Sequence, residues 1–168
     1  MIRNVHERVV DAPIERLGAL LDGLGQKGDR LWPSQNWPPM VLDRPVSEGG
    51  AGGHGAIRYH VAEYEPGARV RFAFEPATGI DGAHELSLDE LSDGRCRMRH
   101  VLVGRARGRM RPLFPLAVEP LHDAVVEDMF DNAEREATGK LSRPAKWSLR
   151  VRLLRRLFRE GKLAAGNK

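Results

Sequence analysis

The sequence predicts an α+β domain in which a curved antiparallel sheet is crossed on its concave face by one long helix, with a basic helix as a tail. Three observations carry this. From Ala56 to Arg107 apolar residues recur at every second position, in successive runs joined by short turns, which is the pattern of an antiparallel meander. From roughly Val118 to Thr138 the spacing turns helical. A strand and a short helix come before the meander, and a sheet and a helix that each carry one apolar face must bury those faces together.

Taken in order, Ile2 to Val10 reads as a strand through Ile2, Val5, Val9 and Val10. Asp11-Ala12-Pro13 then opens a helix, with Asp11 as the expected N-cap and Pro13 in the first turn. Leu17, Leu20, Leu21 and Leu24 form its apolar stripe, and Gly23, Gly25 and Gly28 end it. The segment from Leu31 to Met40 holds three prolines and two tryptophans, which predicts an irregular but packed loop. Gly49 to Gly55 reads as a mobile hairpin turn; it lacks the lysine and the strand–loop–helix context of a phosphate loop.

In the meander, Ile57 to Tyr64 and Arg69 to Glu75 flank a turn at Glu65-Pro66-Gly67-Ala68, with Val70, Phe72 and Phe74 on one face. His84 to Leu91 and Cys96 to Arg107 flank Ser92-Asp93-Gly94-Arg95. A three-residue loop there puts His100 on one face with Leu86, Leu88, Met98 and Leu102, whereas a two-residue turn would send its partners to the other face. The first register groups apolar with apolar and is preferred. Pro112, Pro115 and Pro120 are expected to break the chain before the long helix, which Gly139 stops.

Composition narrows the function classes. Of 168 residues, 41% are apolar and 30% charged, which fits one folded domain and neither a disordered chain nor a membrane bundle. Cys96 is the single cysteine, so intrachain disulfides and multi-cysteine zinc sites are excluded. No apolar run approaches the roughly 18–20 residues of a membrane span, and the alternating N-terminus is unlike a signal peptide; a cytoplasmic protein is expected. The formal charge of +4 divides unevenly: residues 1–141 carry −4 and residues 142–168 carry +8. The domain proper is therefore acidic, and nucleic acid is not an expected partner.

Val9-Val10-Asp11-Ala12-Pro13-Ile14-Glu15 resembles the strand-to-helix opening of the START-like helix-grip (SRPBCC) superfamily. Trp32-Pro33, Gly82-Ala83-His84, Arg99-His100-Val101 and Leu121-His122-Asp123-Ala124 with Glu127-Asp128 resemble a bacterial branch of it labelled polyketide cyclase/dehydrase-like. The likeness covers about Ile2 to Gly139. It implies a helix-grip fold for residues 1–141 and a small hydrophobic ligand (lipid, polyketide or aromatic) in the cavity between sheet and helix.

Tyr59, Phe72, Phe74 and Met98 from the sheet, and His122, Val126, Met129 and Phe130 from the helix, are the expected cavity lining, although core packing calls for the same residue types. His100 on the cavity wall and His84 near its mouth are the candidate catalytic pair for a cyclase- or dehydratase-like alternative, with Tyr59 assisting; the competing reading makes them hydrogen-bonded structural histidines. Glu127 and Asp128 are expected to meet the arginine-rich strand surface or solvent. Arg97, Arg99, Arg105, Arg107, Arg109 and Arg111 alternate along and beyond one strand and read as an outer, solvated sheet face, with Arg105 to Arg111 also suited to an acidic partner. No metal and no cofactor is expected, because His54, His60, His84 and His100 form no H-x-H or H-x-x-x-H pair. Cys96 reads as a buried small thiol.

Residues 142–168 form the tail. Trp147, Val151, Leu154 and Phe158 share one helical face, with Arg152, Arg155, Arg156 and Arg159 opposite. Such a helix suits an anionic membrane surface, its own domain or a second subunit of a homodimer.

Overall fold

The computed structural model describes the backbone of residues 1–165 and the side chains through Phe158. Seven strands form one antiparallel sheet: β1 (Ile2–Val10), β2 (Met40–Leu42), β3 (Ala51–His54), β4 (Ile57–Glu65), β5 (Arg69–Phe74), β6 (Ile80–Glu90) and β7 (Cys96–Ala106). Their spatial order is β1-β7-β6-β5-β4-β3-β2, so the first strand lies beside the last. Helix α1 (Ile14–Asp22) follows β1, α2 (Met110–Leu113) follows β7, and α3 (Glu119–Thr138) lies across the concave face. This is a helix-grip architecture, as the element order predicts.

The register at the β6–β7 hairpin is the preferred one. Leu91 N–H donates to the Arg95 carbonyl across a three-residue loop, and His100 stands opposite Leu86 while Met98 stands opposite Leu88. Curvature comes partly from glycine. Gly82 and Gly104 are register partners, and a Cβ on Gly82 would lie 2.5 Å from the Gly104 Cα. Only two residues without side chains permit that approach. A register shift between Val61 and Glu63 bends β4 further.

The core holds Leu17, Leu20, Leu21 and Leu24 beside α3 residues Val125, Val126, Met129, Phe130, Ala133 and Ala137. The proline-rich loop is packed, as expected: Trp32 is buried and its indole N–H donates to the Pro38 carbonyl at 2.9 Å. Asp22 ties the end of α1 to the β4–β5 turn by accepting from Tyr64 O–H at 2.8 Å and Gly67 N–H at 2.7 Å.

Three sequence expectations are corrected. Pro13, not Asp11, is the N-cap of α1, and no side chain caps it; the Pro13 carbonyl accepts from Arg16 N–H at 3.2 Å. The glycine-rich stretch is not simply a turn. Ala51–His54 pairs with both β2 and β4, and turns remain only at its two ends, at Gly49 (φ +79°) and at Gly55 (φ +55°) with Ala56. The third concerns the prolines. Pro112, Pro115 and Pro120 do not break the chain, which stays helical over 110–138 by widening to a π turn at Phe114–Val118. Glu119 N–H bonds the Phe114 carbonyl five residues back, and Pro120 has no N–H for the Leu116 carbonyl. The Pro115 and Leu116 carbonyls thus lose their usual helical donors. Arg150 Nη2 donates to both, at 2.9 and 2.8 Å.

Arg150 belongs to α4 (Leu149–Ala165), the tail helix. The connection to it runs back along α3, where Glu134 accepts from Ser142 N–H at 2.9 Å and Asp131 from Ala145 N–H at 2.8 Å. Among the described residues no helix is long and apolar enough to cross a membrane.

Candidate functional site

Strand β1 presents Asn4, His6 and Arg8 on one face, and α3 presents Asp123, Glu127, Asp131 and Glu134 at near-fourfold spacing. Two residues of strand advance about 6.6–6.8 Å and four residues of helix about 6 Å. Where the two elements run parallel, these periods keep step, and the polar partners meet in series. Asn4 Nδ2 donates to Asp123 Oδ1 at 2.8 Å. His6 Nδ1 donates to Glu127 at 2.7 Å, with its Nε2 3.2 Å from Asp123 Oδ1. Arg8 reaches Asp131 at 2.7 Å, Glu127 at 2.9 Å and Glu134 at 3.4 Å. Hydrogen bonds to Asp123 and then Glu127 raise the His6 pKa to about 9, against the opposing effect of burial. Burial also opposes ionisation of Asp123, but His122, His6 and Asn4 around it hold its pKa well below the usual carboxylate value.

Behind this ionic row lies a file of histidines. His6 and His100 are cross-strand partners on β1 and β7. The His122 ring on α3 is 5.0 Å from that of His100 and 6.2 Å from that of His6. His84 Nδ1 is 3.3 Å from His100 Nε2. The His84 ring in turn stacks on Phe72 and Phe74, each at 5.1 Å, and meets Tyr59 edge-on at 5.0 Å. His54 Nδ1 completes the line, 3.0 Å from the Tyr59 hydroxyl. Burial, then the nearby His122, lowers the pKa of both His84 and His100 well below the usual value, so both are neutral at pH 7. Burial likewise lowers His54 to about 4 and raises the Tyr59 phenol.

Several of these nitrogens have no hydrogen-bond partner although they are shielded from solvent: His84 Nε2, His100 Nδ1, and both Nδ1 and Nε2 of His122. A buried polar atom left unpaired costs about 1–3 kcal/mol, so four of them in one file call for a partner. The site therefore has an ionic end at β1 and a neutral aromatic end at β4 and β5.

The predicted lining residues Tyr59, Phe72, Met98, Val126, Met129 and Phe130 do face one another across the interior, each 4% exposed or less, and Phe74 packs against them part-buried. They fill the space between sheet and helix. A groove of about 840 Å³ lies outside it, lined among others by Arg8, Asp123, Glu127, Trp147 and Val151. His100 is on the interior wall as expected, whereas His84 sits inside the aromatic layer and not at a rim. Cys96 is buried, and burial raises its thiol to about 11.

Asp128 departs from expectation. It is buried, and it accepts from Trp37 Nε1 at 2.7 Å and from Trp147 Nε1 at 3.1 Å. Glu127 meets Arg8 and His6 of β1 instead of the arginine-rich strand. The tail thus docks on its own domain through Trp147 and the buried Val151. Arg155 belongs to the docked side too, its guanidinium lying over the rings of Trp147 at 3.8 Å and Trp37 at 4.7 Å and bonding the Asn36 carbonyl. Arg152, Arg156 and Phe158 are exposed; the Arg159 side chain lies outside the described residues.

Sequence reasoning missed Asn4, His6, Arg8 and Asp131. Their signal was available as polar residues at every second position of a strand and acids at every fourth of a helix, but nothing local says that those two elements touch.

No protein-family profile matches the chain, and no curated protein is significantly similar in sequence. Its fold is shared with solved structures. A protein of Nitrosospira multiformis superposes with a TM-score of 0.62 at 15% identity, over 82% of this chain and 97% of that one. CalU16 from Micromonospora echinospora gives 0.54 at 15% identity, over 99% and 89%. The Aha1 dimer from Colwellia psychrerythraea gives 0.58 at 11% identity, over 83% and 99%. At these identities the likeness extends to the fold alone.

Proposed function

We propose that this START-like, polyketide cyclase/dehydrase-like domain binds a small hydrophobic molecule carrying a hydrogen-bonding group, held between the sheet and α3. The carrying observation is the file of unpaired histidine nitrogens set in an aromatic wall, with His84 and His100 neutral. A ligand hydroxyl or carbonyl pairs with His84, His100 or His122, while Tyr59, Phe72, Phe74, Met129 and Phe130 take its apolar body. Because those side chains now fill the interior, binding requires α3 to move away from the sheet. The π turn before α3 is the natural hinge, since its backbone bonds are already irregular.

The test is a thermal-shift panel of fatty acids, phenols and polycyclic aromatics. A ligand at about 100 times its Kd adds ~2.7 kcal/mol to stability, a Tm rise of about 5–10 °C for a chain of this size. His100→Leu should cut that gain. A panel in which no compound raises Tm overturns the reading.

Two other readings rest on separate observations. The 3.3 Å contact of neutral His84 and His100 suits proton transfer in a cyclase- or dehydratase-like reaction, and His100→Ala retaining full turnover on a substrate found by the panel removes it. The outer side of α4 exposes Leu149, Leu153, Leu157 and Phe158 beside Arg152 and Arg156, which suits an anionic membrane surface. Equal sedimentation with anionic liposomes by the full chain and by residues 1–141 counts against that.

A further inference from the structure

We propose that His6, His122 and Asp123 form a binding site for a divalent transition-metal ion of the Zn2+ type. The three residues come from β1 and α3, 117 positions apart in sequence for His6 and Asp123, and each offers one ligand atom within 4.8 Å of the others. Metal–nitrogen and metal–oxygen bonds of about 2.0–2.1 Å in a tetrahedral shell set neighbouring ligand atoms about 3.3 Å apart. His6 Nε2 lies 3.2 Å from Asp123 Oδ1, and His122 Nδ1 lies 3.7 Å from the same oxygen. The ligand atoms of His6 and His122 lie within 4.8 Å of each other, so a closure of at most about 1.5 Å on that side completes the geometry.

The surroundings are those of a ligand set. Glu127 accepts from His6 Nδ1 at 2.7 Å, which aims Nε2 at Asp123; a metal there takes the place of the Nε2 proton. A metal-bound histidine characteristically gives its other N–H to such a carboxylate, which fixes ring and tautomer. Arg8 holds Glu127 at 2.9 Å, and Asn4 holds Asp123 at 2.8 Å. His122 is the independent pointer. Neither ring nitrogen has a hydrogen-bond partner, although both are shielded from solvent and the nearest carboxylate is 3.7 Å away. A histidine kept only for structure would be bonded.

Two nitrogens and one carboxylate suit Zn2+, Co2+, Ni2+ or Fe2+; Ca2+ and Mg2+ demand more oxygen ligands than are present. Asp123 and Glu127 line the outer groove, so the ion has a path from solvent and the fourth position can hold water. The proposal does not depend on ligand binding between sheet and helix.

The experiment is calorimetric titration of ZnCl2 and CoCl2 into the chelator-stripped full chain, with the visible spectrum of the Co2+ form as a second readout. One equivalent should bind and raise Tm. His122→Phe keeps the ring volume and loses no hydrogen bond; it should abolish stoichiometric binding and leave the metal-free Tm nearly unchanged. Glu127→Gln should weaken binding about 10–100-fold. His60→Ala, at a half-buried histidine on the outer face that pairs with Glu75, should bind as the parent does. Failure of the parent to take up one equivalent of either metal overturns the proposal, and so does unchanged binding by His122→Phe. Should His122→Phe not fold, paramagnetic broadening by Co2+ decides on the parent chain: loss of His6 and His122 signals supports the site, and loss centred elsewhere refutes it.

Discussion

Asp128 joins the tail to the domain by one carboxylate shared between two indoles, and its removal has a calculable effect. Trp37 and Trp147 both donate to it, their rings meeting edge to face at 5.8 Å. A hydrogen bond to a charged group contributes about 1.5–3 kcal/mol. Asp128→Asn keeps the shape but removes the charge and turns an amide N–H2 toward one indole N–H. One bond is lost and the other weakened, for a cost of about 2–4 kcal/mol. Trp147→Phe removes one donor and keeps much of the ring contact, at about 1.5–3 kcal/mol. If both indoles compete for one charge, Asp128→Asn costs less once Trp147 is gone, by about 1–2 kcal/mol. Urea denaturation of the parent, both single variants and the double variant at pH 7 reads this coupling directly. Trypsin should also cut after Lys146 faster in the variants, because release of Trp147 frees the connection that Asp131 and Glu134 otherwise pin. Single costs that add to within about 0.3–0.5 kcal/mol in the double variant refute the shared-carboxylate account.

The buried histidines make stability depend on pH. Burial, with the charges of His122 and Arg58, keeps His54 neutral in the fold down to about pH 4, whereas the unfolded chain takes up that proton near pH 6.5. The His54 contribution is therefore flat above pH 7 and falls as pH drops through 6.5, by ~2 kcal/mol at pH 5. His6, raised to about 9, works the other way, its contribution being lost as pH rises from 6.5 through 9. His54→Gln should flatten the slope measured by urea denaturation at pH 7.5 and 5, and an unchanged slope refutes this. Gly82→Ala puts a Cβ 2.1 Å from the Val103 carbonyl oxygen, so the β6–β7 pair must part. A loss of at least ~3 kcal/mol is expected, on the scale of severe overpacking, and thermal melts within 2 °C of the parent (under ~1 kcal/mol) would show that the sheet yields.

Much of the sheet was legible because strand faces follow from a period of two and a hairpin is a local event. The three-residue loop at Ser92 to Gly94 sets which residues of β6 and β7 face each other, and it is written in those residues and their neighbours. The inward orientation of His100, Leu86 and Met98 follows from it. The prolines before α3 misled because their cost is judged locally. A π turn absorbs it, and an arginine from α4 satisfies the freed carbonyls, neither of which a local rule contains.

The unequal charge of the two parts was visible at once, and so was the amphipathic character of the tail. Which side of α4 docks was not. Trp147 and Val151 turn inward as their spacing suggests, yet Arg155 goes with them, because two tryptophan faces and the Asn36 carbonyl await its guanidinium. Leu149, Leu153 and Leu157 are left outside.

By itself, then, the amino-acid sequence determined β1, α1, the β4–β7 meander with its inner face, α3 and the helix-grip order, since each depends on periodicity and turns within a few residues. Strand β3, the unbroken helical run into α3 and the docked side of α4 it did not. The tertiary structure alone decided that Asn4, His6 and Arg8 face Asp123, Glu127 and Asp131, and so where the histidines converge. The reason is geometric: β1 and α3 lie more than a hundred residues apart, and only closing the sheet with β1 beside β7 brings strand and helix repeats into step.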